Sequence, residues 1–156
     1  PFDNFDPQTA MVIPALISRV AGGEDPLVVW GDGSAIRDFI FSRDVAQGMM
    51  LALEKGANCT PVNLGSGLGV SIKEIVENIV ANFDQRPQVK WDTSMPSGQP
   101  LRVMDISRAQ ESLGFTPATS IGQGIHETVE WYLANNDLGA SRYSVFNQPN
   151  YMAKST

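Results

Sequence analysis

The sequence predicts an α/β fold, a small mixed sheet with several helices, and three stretches carry that expectation. Residues 27–41 join two runs of strand-forming residues, Leu27-Val28-Val29-Trp30 and Ile36 to Phe41. Gly31-Asp32-Gly33-Ser34 connects them, and its glycines and short polar side chains suit a tight turn. Residues 61–64 lead through the glycines of 65–69 into a helix with Ile72, Ile75, Val76, Ile79, Val80 and Phe83 on one face. Ile121, Ile125, Val129 and Tyr132 repeat the helical spacing further on. At 156 residues the chain is long enough to bury a core without metal or disulfide staples.

The opening, Pro1-Phe2-Asp3-Asn4-Phe5-Asp6-Pro7, has neither helical nor strand periodicity, and a chain that begins this way reads as an excerpt from a longer protein. Residues 11–21 form the first helix, with Pro14 tolerable in its first turn, Ile13, Leu16, Ile17 and Val20 on its apolar face, and Gly22-Gly23 as its stop. Residues 27–41 are then expected to fold back as a hairpin. Asp44 or Ser42 is the expected N-cap of the next helix and Gly56 its C′ residue, with Met49 and Met50 filling core beside Val45, Leu51 and Leu53. Residues 61–64 read as a strand, and Ser71 with Glu74 three positions later is a capping box for the helix that follows.

A strand is expected at 88–91 and a loop over 93–100, which delivers Arg102 to a loop-to-strand junction. Asp105 caps a short helix at 107–113 that Gly114 stops, and Ser120 opens the last helix, ending near Asn135-Asn136. From Gly139 the periodicity is lost, which divides the chain into one domain, 1–138, and a tail, 139–156, whose Tyr143, Val145, Phe146 and Tyr151 are available to dock.

Eleven basic against seventeen acidic residues leave a charge of −6, which argues against a nucleic-acid partner. One cysteine, Cys59, and one histidine, His126, exclude a structural zinc set and a disulfide framework, so a reducing, cytoplasmic setting is expected. No signal peptide or long apolar run points to export or to a membrane. His126 falls beside an apolar stripe among Glu127 and Glu130, a rim position.

Arg37 carries the most pointed chemistry. A guanidinium on a strand beside a tight turn, with Trp30 seven residues before it, suits two-pronged phosphate binding with ring packing. The residues leave open an ordinary surface hairpin in which Arg37 pairs with Asp38 or another carboxylate. Arg19, near the edge of the first apolar face, either reaches an anion or is a solvated helix charge. The strand–glycine–helix at 61–83 invites a dinucleotide loop, but its spacing is G-x-G-x-G, and the acid after the following strand, Asp92, lies beyond the usual interval of about 20 residues.

Taken in order, Pro1 to Phe5, Val12 to Leu16, Val28 to Gly33, Arg37-Asp38-Phe39, Asp44-Val45-Ala46, Val62 to Gly67, 96–105 and Leu113-Gly114-Phe115 resemble one family. It is the extended short-chain dehydrogenase/reductases of the NAD-dependent sugar-nucleotide epimerase/dehydratase group, and within it the GDP-L-fucose synthase branch. The resemblance runs from Pro1 to about Asn136. It implies the C-terminal, substrate-binding part of a Rossmann-type enzyme without its N-terminal nucleotide-binding half. It further implies that Arg37 and Arg102 bind a substrate diphosphate, the latter where the branch usually carries lysine, that Trp30 lines the pocket, and that Arg19 and Val12 lie near the nucleotide. NAD(P) is implied as the parent enzyme's coenzyme, a nucleotide-sugar, preferably a GDP-sugar, as substrate, and the Rossmann half or a second copy as protein partner.

Two departures limit what this chain is expected to do. Met11 stands where the branch has a histidine that donates a proton in epimerisation, and a thioether cannot transfer one. Tyr132, Tyr143 and Tyr151 are followed four positions later by Asn136, Asn147 and Ser155, so the Tyr-x-x-x-Lys pair of the family is absent. The expectation is a nucleotide-sugar-binding part with no catalytic residue and no metal site of its own. The alternative is a stand-alone module that binds a nucleotide-sugar or a protein without chemistry.

Overall fold

Two small sheets flanked by five helices organise the chain in a computed structural model that describes residues 1–6, 9–55 and 60–135. The expected tail at 139–156, Cys59 and the stop at Gly56 lie outside those residues. The elements are α1 (Val12–Ala21), β1 (Leu27–Trp30), β2 (Ile36–Asp38), α2 (Ser42–Lys55), β3 (Gly69–Ser71), α3 (Ile72–Val80), β4 (Val89–Asp92), β5 (Leu101–Arg102), α4 (Ser107–Leu113) and α5 (Ile121–Ala134). β1 pairs in parallel with β4, while β2 lies between antiparallel β3 and parallel β5.

The helices follow local chemistry. Ser71 accepts from the Glu74 amide while Glu74 reaches back to the Ser71 amide, closing the capping box at α3. Ser120 accepts from the Gln123 amide at α5, and Gly114 ends α4 at φ +68. α4 departs by one position: the cap is Ile106, and Asp105 accepts from the Ser107 amide at 2.9 Å. α1, α3 and α5 pack their stripes together around Ile17, Ile75, Ile79 and Ile125, with Leu27 of β1 beneath them. Each of these buried side chains contributes about 1.5–3 kcal/mol relative to exposure. Phe5, from the patternless opening, enters the same core at 4.5 Å from the Tyr132 ring. A smaller cluster of Ala109, Leu113 and Phe115 sits under α2.

The expected hairpin does not form. β1 and β2 belong to different sheets, and the segment between them uses its bonding groups elsewhere. The Gly31 amide donates to Asp92 O at 2.8 Å, continuing the β1–β4 pairing, and the carbonyls of Gly33 and Ala35 accept from Lys73 and Ile72 at the start of α3. Gly31 and Gly33 do adopt the positive φ a turn needs, +82 and +78. The Trp91 ring and Ser97 fill the space beside them, where a Cβ would lie 2.7 and 2.6 Å away.

Residues 61–64 form no strand. The Pro61 carbonyl accepts from Arg108 and the Asn63 amide group donates to Asp105 O, side-chain bonds that take the place of a ladder, and Val62 and Leu64 pack on the smaller cluster. The strand comes later, at β3. Asp44 is not the cap of α2 but lies buried in its first turn, accepting from the Thr119 amide at 3.0 Å.

Met49, Met50 and Leu53 are not core. They are 59%, 56% and 79% exposed, because α2 turns Gly48, Leu51 and Ala52 toward the smaller cluster and carries the methionines around to its other side. His126 is a rim residue, its Nδ1 2.7 Å from Asn82 Oδ1. No helix among the described residues is long and apolar enough to cross a membrane.

Candidate functional site

β2 places Arg37 and Asp38 next to one another, and strand alternation sends their side chains to opposite faces. Asp38 therefore does not pair with Arg37. Its carboxylate accepts from Ser66 N, Ser66 Oγ, Gly67 N and Met104 N at 2.6–3.1 Å. Burial alone would push this carboxyl up, but the four donors outweigh it and hold Asp38 below the ordinary carboxylate value. Two amides of the 65–69 glycine loop, those of Ser66 and Gly67, are thus occupied by an internal carboxylate, and the Leu68 amide by Ser66 Oγ, which leaves these groups committed within the chain.

Arg37 is half-buried and held by its own surroundings. One terminal nitrogen, Nη1, donates to Ile36 O at 2.8 Å and to Gln99 O across the sheet. Nη2 lies against Gly98, where a Cβ would come within 3.1 Å, and Gly98 adopts φ +72. The preceding residue, Ser97, seats on Gly31 beside Trp30, so residues 97–99 run from the end of β1 to the guanidinium. The hydrogen bonds of the guanidinium thus run from Nη1 to two backbone carbonyls.

Arg102 is the register partner of Arg37 in the β2–β5 pair. Cross-strand partners share a face, and like charges placed there repel. Among the described residues neither arginine has a carboxylate partner; the ion pairs are Arg19–Glu24, Arg43–Glu127 and His126–Glu130. Two cross-strand arginines without a carboxylate partner among the described residues concentrate positive charge on this face of the sheet. Trp30, at the end of β1, is 62% exposed and presents its ring to solvent.

Arg19 is taken up internally: Nε and Nη2 grip Glu24, and Nη2 also donates to Val28 O at 2.6 Å. The Glu24 hydrogen bond raises the Arg19 pKa and lowers that of Glu24. Met11 and Val12 stand exposed at the start of α1. No group of three or more His, Cys, Asp or Glu able to hold a metal occurs among the described residues. Asp38 and residues 97–99 were not singled out from the sequence; the period-2 alternation of β2 was the available signal for Asp38, whereas nothing local marks Gly98.

Residues 1–65 match the NAD dependent epimerase/dehydratase family. GDP-L-fucose synthase 1 of Arabidopsis thaliana is 37% identical over 139 residues, 86% of this chain and 43% of that protein. A GDP-L-fucose synthetase of Naegleria fowleri bound to NADP has the same fold, with a TM-score of 0.82 and 26% identity over 90% of this chain and 43% of its own. A UDP-glucose 4-epimerase of Thermotoga maritima with UDP-glucose matches at a TM-score of 0.71 and 27% identity, over 84% and 42%. The chain thus spans less than half the length of the proteins it matches.

Proposed function

We propose that this chain, related in sequence and fold to the NAD-dependent epimerase/dehydratase enzymes of the extended short-chain dehydrogenase/reductase type, is the C-terminal nucleotide-sugar-binding part of such an enzyme. Its parent is a GDP-L-fucose-synthase-like epimerase or reductase. Arg37 and Arg102 hold the diphosphate of a GDP-sugar, and Trp30 walls the site. The observation that carries this reading is the Arg37–Arg102 register pair, held without a counter-charge. Arg19, already committed to Glu24, steadies α1 and β1 rather than meeting the nucleotide, and Val12 at the head of α1 is left for the base.

NAD(P) supplies hydride chemistry to enzymes of this kind. The residues of this chain do not fit it: the 65–69 glycine loop spends its Ser66 and Gly67 amides on Asp38, and Tyr-x-x-x-Lys is absent. The chain alone should not oxidise NADPH with a GDP-keto-sugar; turnover would refute that. The exposed Met49, Met50 and Leu53 of α2 support that face of the helix as the seat of a coenzyme-binding half.

Calorimetric titration with GDP tests the site. Hydrogen bonds to charged groups contribute about 1.5–3 kcal/mol, so Arg37→Ala should weaken binding about ten- to a hundredfold. Equal affinities for the wild type and Arg37→Ala would remove Arg37 from the site.

A further inference from the structure

We propose that Asp38 is the positioning residue of the arginine pair, a carboxylate that ties both edge strands to β2 and so sets where Arg102 stands relative to Arg37. The inference rests on the reading of that pair as a diphosphate site. The edges are short: β3 has three residues and β5 two, so few ladder bonds hold them. The β2–β5 register ends at Arg37↔Arg102, and beyond it the Met104 amide turns to Asp38 Oδ2 at 3.1 Å, so a side chain continues the pairing where the backbone stops.

On the other edge Ser66 donates both its amide and its hydroxyl to Oδ1, and Gly67 donates to Oδ2, just ahead of β3. Gly65 allows this seat, since a Cβ there would lie 2.9 Å from Asp38 Oδ2 and 2.9 Å from Met104 Cβ. The carboxylate works from the face opposite Arg37, so it organises the cationic pair without neutralising it. Asparagine in its place keeps the size but offers one acceptor oxygen, and its amide group faces donors; one edge must let go.

The test combines GDP titration with amide exchange on wild type, Asp38→Asn, Arg37→Ala and the double variant. Asp38→Asn should weaken GDP binding about tenfold. In the Arg37→Ala background it should add less than about twofold, because neighbours that act as a unit are not additive. Exchange at Met104 or at Ser66 should rise. Unchanged GDP affinity in Asp38→Asn, or the same factor lost in both backgrounds, overturns the proposal. If wild type does not bind GDP or Arg37→Ala binds it equally, the diphosphate reading fails and exchange alone judges the clamp: faster exchange at Met104 or at Ser66 in Asp38→Asn upholds it, and unchanged exchange at both overturns it. Should Asp38→Asn not fold, Ser66→Ala, which removes one of the four donors, replaces it with the same order of effects at smaller amplitude, and unchanged affinity and exchange there overturn the proposal.

Discussion

Gly33→Ala tests how the turn between the two sheets is built. Gly33 has φ +78, and a Cβ there would come 2.7 and 2.9 Å from the Trp91 ring and 3.0 Å from Lys73 Cβ. The left-handed backbone costs an alanine about 1–2 kcal/mol. Forcing a methyl against a rigid ring adds about 1–3 kcal/mol, for a total of about 2–5. Gly23 supplies the control, with φ +79 and no atom within 4 Å of its Cβ position, so Gly23→Ala should lose only the backbone part. Urea unfolding of both variants gives the comparison, provided the m-values agree. The expected result is a loss at Gly33 larger by about 1–3 kcal/mol, a large share of a typical total of about 5–15. Losses equal within about 0.5 kcal/mol would refute the account of Trp91 as the filler of this turn.

Asp38 should make stability depend on acid. Its folded value lies below the ordinary 3.8 because the donors on Ser66, Gly67 and Met104 outweigh burial, so its contribution is present above that value and is lost as pH falls from about 4 through the lowered one. The stability gap between wild type and Asp38→Asn should therefore shrink between pH 7 and pH 3, and an equal gap at both would contradict the hydrogen-bond count. Ser71→Ala removes the α3 cap and should cost about 1 kcal/mol, read as a fall of about 2–4 °C in the thermal midpoint. Ile17→Ala, at a fully buried position, should cost about 2–5 kcal/mol, whereas Leu53→Ala on exposed α2 should stay within about 0.5; the reverse order would misplace the core.

A dozen neighbouring residues are enough to decide part of this fold. The α3 stripe and its Ser71–Glu74 box, the Ser120 cap and the left-handed Gly114 involve partners within one or two turns, and all were legible. So was the need of Gly31 and Gly33 for positive φ. The candidate arginines were visible one by one, Arg37 from its place by the turn and Arg102 from its junction. Tertiary structure alone decided which of them meet. Strands of two to four residues carry too little pattern to select partners, so β1 took β4 instead of β2, and 61–64 was left out of both sheets. The apolar side of α2 reads as core until Phe115 and Leu64 are seen to take Gly48 and leave the methionines outside. Asp38 is the sharpest case. Its neighbour in sequence is Arg37, but its donors come from 28 to 66 residues away, and strand alternation turns it from the arginine toward them.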